Sequence, residues 1–565
     1  MLYPVTNHRR TAISLNGLWN FQIVGDDHDA AVPLDDPIPI GVPGSYQELY
    51  PDPRFRDHVG LVCYERTLTL PVLPAGSWRL RIGAAGNRAR VYVDGGLVGS
   101  HNGGFLPIDL ELPIHSPVSE SFRLSVVLDS RLDYKTLPIG EVEIVGNRRI
   151  QRINHDFANE TGIHRDVLVY SVPERPIRDA VVKTSGHEGS ARIAYSIDTD
   201  APDCRVEVVS PDGKMLGSAI GTTGSLTIVN PMLWDLGAGR LHTLRIRTAT
   251  DAYDLPFGIR DVELKDGRFL LNGKSVFFKG FGMHEDHGIV GKASIAALNV
   301  RDFALLDWIH ANSFRTSHYP YSDEMMDLAD RQGILVIDEV PAVGMNFWSG
   351  RKVFTPGTVD DRTLAVHKDQ LTELIARDKN HPSVVMVSVA NEATTYEDGA
   401  VPYFTEVFRH ARTLTDLPLM IVENVGAHEE KVAGLCDVVG LNKYLGWYVE
   451  HGDLTDIPER LARELTDFHE KFHKPILVTE FGADTIAGTH RLPPVAFSEE
   501  FQVDFIRTYH ETIKTLPFVV GEHVWNFADF MTKQGVTRFD GNKKGVFTRD
   551  RQPKMAAHWL RDAWK

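Results

Sequence analysis

Two places in the sequence set a carboxylate directly after an apolar run. Asn391-Glu392 closes "SVVMVSVANE", and Glu480 closes "PILVTE". Two carboxyls facing one cleft are what cleavage of a glycosidic bond needs, one protonated to assist the departing oxygen and one ionised to attack the anomeric carbon. Mutual repulsion and partial desolvation separate their pKa values and so divide the roles. Glu339, Glu423 and Glu522 end similar runs, so position alone does not choose the pair. A third stretch, "RFDGNKKGVF", gathers Arg538, Lys543 and Lys544 around Asn542 in a chain with 76 acidic and 60 basic residues. In isolation it reads as a solvated turn. Beside two carboxylates it reads differently, because a neutral sugar does not require fixed cations and an anionic one does.

The elements that must position these residues follow from periodicity. Eight short apolar runs end in polar or aromatic residues: "SVFFKGFGMH", "SFRTSHYP", "ILVIDEVP", "SVVMVSVANE", "LMIVENV", "VVGLNKY", "PILVTEFG" and "VVGEHVWNF". Most are separated by amphipathic stretches such as "DEMMDLADRQG" and "HKDQLTELIARD". Continuous apolar strands alternating with helices imply a parallel sheet covered on both faces, and eight units imply a closed (β/α)₈ TIM barrel over 259–565. Active sites of such barrels lie at the carboxyl ends of the strands, so Glu392, Glu480 and the loop after the eighth strand share one rim. Before the barrel, residues 1–177 alternate apolar and polar positions between Gly, Pro and Asn turns, as in "WRLRIGAAG" and "SFRLSVVLD", which predicts an antiparallel β-sandwich. Residues 178–258, with "RIAYSID" and "HTLRIRTAT", predict a smaller immunoglobulin-like β-sandwich.

A net charge of −16 argues against nucleic-acid or anionic-membrane partners, which need a basic footprint. No apolar run is long enough to span a bilayer, and the start lacks the apolar core of a secretory signal, so a cytoplasmic location is expected. Cys63, Cys204 and Cys436 fit neither a disulfide framework nor a metal-binding spacing. The sequon Asn159-Glu160-Thr161 is then expected to be unmodified. His284, Glu285, Asp286 and His287, with His318, raise metal-dependent hydrolysis, but their spacing matches no common metal signature. No metal and no cofactor are expected.

"KNHPSVVMVSVANE" resembles the acid/base segment of glycoside hydrolase family 2, and "PILVTEFGAD" is similar to its nucleophile segment. "LNGLWNF" and "VPGSYQE" resemble the entry to that family's jelly-roll, sugar-binding-like sandwich. "NPMLWDLGAGRLHTLRI" resembles its immunoglobulin-like domain, and "FFKGFGMHEDH" and "GEHVWNFADF" resemble its barrel. The resemblance spans nearly the whole chain. It implies a retaining β-glycosidase working by double displacement, with Glu392 as general acid/base and Glu480 as nucleophile, and a homo-oligomer, tetramer or dimer. Retention calls for carboxyls about 5–5.5 Å apart. Asn391 is placed for the sugar 2-hydroxyl, and Trp525 offers an aromatic face.

Within that family the asparagine-any-lysine loop marks members acting on β-D-glucuronides, and "RFDGNKKGVF" looks like it. The implied clamp for the uronate carboxylate is Asn542 and Lys544, with Arg538 nearby and Lys543 pointing elsewhere. Desolvating a carboxylate needs charge-assisted donors, worth roughly 1.5–3 kcal/mol each. "HDFANETGIHRDV" resembles a sandwich loop that brings Asp156 to the site. Asn442, Tyr444 and Tyr448 carry over on the sixth strand and its loop, with Tyr444 orienting Glu480, and His318 lines the floor. After the third strand, Phe347, Trp348 and Phe354 are candidates for an apolar wall in an open aglycone site. The alternatives are a β-galacturonidase or another family 2 β-glycosidase and, further off, a metal-dependent barrel hydrolase or a non-catalytic carbohydrate-binding protein.

Overall fold

The computed structural model describes residues 2–71, 76–114, 121–186 and 189–565. The chain first builds a six-stranded and a four-stranded antiparallel sheet, with a separate hairpin, Gly140–Val145 with Arg148–Ile153. Trp19, Phe21 and Tyr64 of the larger sheet pack in one core with Trp78 and Leu80 of the smaller. A three-stranded and a four-stranded antiparallel sheet follow, between Asp179 and Gly258. Their strand Ser190–Asp198 buries Ala191, Ile193, Tyr195 and Ile197 and turns the residues between them outward, as period-two alternation requires.

The third region is a closed parallel barrel of eight strands. We number them β1 (Phe278–Gly282), β2 (Ser313–Arg315), β3 (Leu335–Glu339), β4 (Val384–Asn391), β5 (Leu419–Glu423), β6 (Val438–Asn442), β7 (Ile476–Glu480) and β8 (Val519–Val524). All eight apolar runs are strands, buried along nearly their whole length because core lies on one side and helices on the other. Side chains fix where the helices begin. The Ser322 and Ser498 hydroxyls accept from the backbone N–H groups of Met325 and Phe501, satisfying donors that a first turn leaves open. The β5–β6 connection departs from the alternation and contains only a 3₁₀ turn, Ala433–Leu435.

Two irregularities sit where chemistry is expected. The β4–β5 register shifts between Ser388 and Asn391, and the β6–β7 register shifts between Leu441 and Asn442. Such bulges re-aim side chains at strand ends. Glu392 follows with φ +51°, a left-handed conformation that costs a non-glycine residue about 1–2 kcal/mol.

The segment 154–166 leaves the first sandwich and is fastened to the barrel rim by Arg165. Its buried guanidinium donates to Glu285 at 2.8 Å, to the Phe105 carbonyl at 2.7 Å and to the Pro320 carbonyl at 2.5 Å. Lys292 adds a bond to the Ala158 carbonyl at 2.8 Å and covers the Phe157 ring. Asp156 is thereby held over the barrel mouth by residues far from it in sequence.

Candidate active site

A cavity of about 820 Å³ opens at the carboxyl ends of the strands. Its lining separates the five strand-ending glutamates. Glu392 and Glu480 line it; Glu339, Glu423 and Glu522 do not. Glu339 is fully buried against Arg315, His318 and Ser388. Glu423 bonds Thr395, and Glu522 bonds His510 and the Trp564 indole. The residues that raised metal chemistry face different partners: Glu285 pairs with Arg165, Asp286 with Arg549, His287 lies against Arg551, and His284 meets the Tyr319 hydroxyl.

The two lining carboxyls have different surroundings. Glu480 accepts from the Arg315 guanidinium on one oxygen and from the Tyr444 hydroxyl at 2.8 Å on the other. Arg315 is fully buried and also grips Glu339 at 2.7 and 2.8 Å, so its direction is set by a second carboxylate. Glu392 accepts from the Asn442 amide at 2.7 Å, while Thr479 fixes the Asn442 carbonyl at 2.8 Å and Asn391 lies within 3.3 Å of the same amide. His318 is buried, and desolvation lowers its basicity against the bond from Nδ1 to Glu339 at 2.9 Å; its Nε2 lies 3.8 Å from Glu480. Trp525 stacks on His318 with ring centroids 5.1 Å apart. Gly282 and Gly482 admit that tryptophan, since a Cβ on either would stand 2.5 Å from its ring or 1.9 Å from its carbonyl oxygen.

Burial raises both carboxyl groups. It lifts Glu480 to about 8, with Arg315 opposing and the charge of Glu392 adding to the rise. Burial likewise raises Glu392, against the Asn442 amide and Arg315. The pair therefore titrates as a unit that keeps one proton well above the ordinary carboxylate range. Arg315, a permanent cation with no acceptor, bonds Glu480 directly and favours charge there, the arrangement expected if Glu392 holds the proton. The form with Glu480 ionised and Glu392 protonated is lost when a second proton binds at low pH and when the last proton leaves at high pH. We expect a bell-shaped kcat/KM profile whose alkaline limb lies above the ordinary carboxylate range, because burial raises both groups. With an activated leaving group, Glu392→Gln should abolish that limb. An unchanged limb in the variant would show that the proton sits elsewhere.

The stretch 538–547 lies on the same rim. Arg538 donates to both oxygens of Asp156 at 2.9 Å and to the Tyr448 hydroxyl at 2.5 Å. Asn542 donates to Asp156 at 3.0 Å. Lys544 donates to Tyr448 at 2.9 Å and forms an ion pair with Asp484. Asn542 and Lys544 are fully covered and Lys543 turns away to Asp540, as the alternation of an extended segment requires. Arg538, Tyr448 and Asp156 line the cavity, with Asn542 and Lys544 one layer behind them. Among the described residues the side chains of Lys544 and Asn542 donate no further hydrogen bond, and the Lys544 ammonium also lies 4.7 Å from the Tyr448 ring centroid.

The segment after β3 divides differently from the expected apolar wall. Trp348 lines the cavity and is 66% exposed. Phe347 is buried under Arg351, its centroid 4.2 Å from that guanidinium, and Phe354 packs between Tyr403 and Phe404. Arg315, Asp484 and Asn424 join the site without having been singled out from sequence. Only Arg315 left a signal, a cation inside the apolar run "SFRTSHYP" that cannot be buried without carboxylate partners.

Comparison with known proteins agrees in extent and architecture. Residues 262–565 match the family model for the glycosyl hydrolases family 2 TIM barrel domain. Over its whole length the chain is 44% identical to a beta-glucuronidase of Paenibacillus borealis, covering 98% of that protein, and 37% identical to the human beta-glucuronidase, covering 92% of it. Among solved structures, the beta-D-glucuronidase of Dictyoglomus thermophilum superposes with a TM-score of 0.97 at 44% identity, covering 98% of that chain. A Ruminococcus gnavus beta-glucuronidase in complex with C6-substituted uronic isofagomine gives 0.96 at 36%, with 99% covered. Sharing both the barrel and the full-length architecture with these relatives, the chain belongs to glycoside hydrolase family 2.

Proposed function

We propose that the chain acts as a retaining β-glucuronidase, hydrolysing β-D-glucuronides to D-glucuronate and an aglycone alcohol. The observation that carries this reading is the set of cationic and amide donors around Asp156, Tyr448 and Asp484, on the same rim as Glu392 and Glu480. The beta-glucuronidases that match over the full length support it. Glu480 attacks the anomeric carbon while Glu392 gives its proton to the departing oxygen, forming a glycosyl ester on Glu480. Esterification removes the charge of Glu480, the pKa of Glu392 falls, and Glu392 then takes a proton from the water that cleaves the ester. Arg315 and Tyr444 hold Glu480 in line for attack. Asn391 and His318 take sugar hydroxyls, Asn442 holds Glu392, and Trp525 presents its ring to the sugar. The substrate carboxylate enters beside Arg538 and replaces Tyr448 and Asp156 as acceptor of the Lys544 and Asn542 donors behind them.

These donors read a carboxylate and not the 4-hydroxyl, so a β-galacturonide is the competing substrate. The test compares kcat/KM for matched aryl β-D-glucuronide, β-D-galacturonide and β-D-galactoside. Glucuronide preference is the expected result. Galacturonide preference would keep the clamp and change the sugar, and indifference to the carboxylate would overturn the assignment.

A further inference from the structure

Behind Glu392 lies a buried group that the reaction does not use. The Thr395 hydroxyl, three residues beyond Glu392, stands 2.7 Å from Glu423 Oε2 and within hydrogen-bond distance of Glu430 Oε2. All three side chains are buried. A hydroxyl has one hydrogen and cannot donate to two carboxylates, so one of the two acids carries a proton. Glu430 accepts the backbone N–H groups of Val432 and Ala433 on Oε1, donors that favour an anion. Glu423 Oε1 is buried with no partner, which a carbonyl oxygen tolerates far better than a charged one. The proton belongs to Glu423, which leaves the Thr395 hydroxyl bridging a neutral acid and a charged one. Burial, reinforced by the charge of Glu430, raises the Glu423 carboxyl in the same sense.

This chain of bonds joins the segment after β4 to the segment after β5. Glu392 is anchored to β5 by its backbone N–H on the Val422 carbonyl at 2.9 Å, and Asn424, next to Glu423, lines the same cavity and, against burial, helps to hold down the pKa of the Glu392 carboxyl. We propose that neutral Glu423, Thr395 and Glu430 form a brace that positions Asn424 and the strained Glu392 backbone, so that the Glu392 proton meets the departing oxygen. Glu423 is a positioning residue, and its neutrality spares Glu392 a second nearby anion. The proposal deepens the reading of Glu392 as general acid and rests on it.

The experiment measures kcat/KM on an aryl glucuronide with an activated leaving group and on an alkyl glucuronide that needs proton donation. Thr395→Val removes the bridging hydroxyl at nearly constant shape. It should lower the alkyl rate about tenfold or more while leaving the activated rate within about threefold. Glu423→Gln keeps a neutral side chain with a donor and should stay close to wild type on both. Equal losses on both substrates, or an unaffected alkyl rate in Thr395→Val, would overturn the brace. Glu392→Gln is the reference. If it shows no leaving-group dependence, the general-acid assignment has failed, and the brace falls with it for a different, visible reason.

Discussion

Replacing Glu480 by glutamine should lower kcat by about 10⁴- to 10⁶-fold, the order seen when a covalent nucleophile is removed from a site whose binding groups remain. Glutamine keeps the volume but has no charge to attack the anomeric carbon, so no glycosyl ester forms. The pocket should survive, because Arg315 retains both bonds to Glu339 and remains a paired cation. Product geometry then separates the two acids. In Glu480→Gly, azide can occupy the vacated side and displace the protonated leaving group directly, giving the inverted α-glucuronosyl azide. In Glu392→Gly, an activated substrate still forms the ester on Glu480, and azide arriving from the leaving-group side gives the β-azide. The anomeric coupling constant of each product checks the assignment. Matching products from the two variants, or substantial turnover by Glu480→Gln, would reverse or remove the roles.

The barrel was legible because its strands are buried on both faces. "SVVMVSVANE" and "PILVTEFG" are unbroken apolar runs stopped by groups that cannot be buried alone, and the stops mark the rim. The sandwiches were legible from alternation, as in Ser190–Asp198. Three things were not. The β5–β6 connection carries no helical stretch singled out in the sequence, and it folds with a 3₁₀ turn, Ala433–Leu435. Phe347, Trp348 and Phe354 share one loop, yet a small change of backbone direction decides which aromatic faces the cavity and which the core. Sorting the glutamates needs contacts that cross the barrel: Arg315 reaches Glu339 on the next strand and Glu480 on the seventh. Periodicity says that Arg315 points inward but cannot say which carboxylates wait there. Family resemblance chose Glu392 and Glu480, and which strand-ending glutamates line the cavity cannot be read from the sequence.

Lys544→Met should cost about 10²-fold in kcat/KM on a glucuronide, from the loss of one charge-assisted contact to the substrate carboxylate, and little on the matching glucoside. Activity alone is a poor readout, because Lys544 also neutralises Asp484 in a buried pair. Against burial, which would raise it, Lys544 and then Arg538 hold the Asp484 carboxyl below its usual range. In the wild type this pairing adds stability at pH values above the unfolded carboxylate pKa and is lost as pH falls through the folded one. Removing the ammonium leaves a buried, underpaired carboxylate and should destabilise the fold by about 3–5 kcal/mol at neutral pH. The sign then reverses: desolvation raises Asp484 in the variant, so the gap in Tm from wild type narrows on acidification, as Asp484 takes up a proton. The ratio of glucuronide to glucoside kcat/KM does not depend on how much protein is folded, and it should collapse in Lys544→Met. Adding Asp484→Asn removes the stranded charge and should recover most of the Tm without recovering the ratio. If both recover together, Lys544 acts only by holding the loop in place. If Tm returns while selectivity stays lost, the ammonium itself reads the carboxylate.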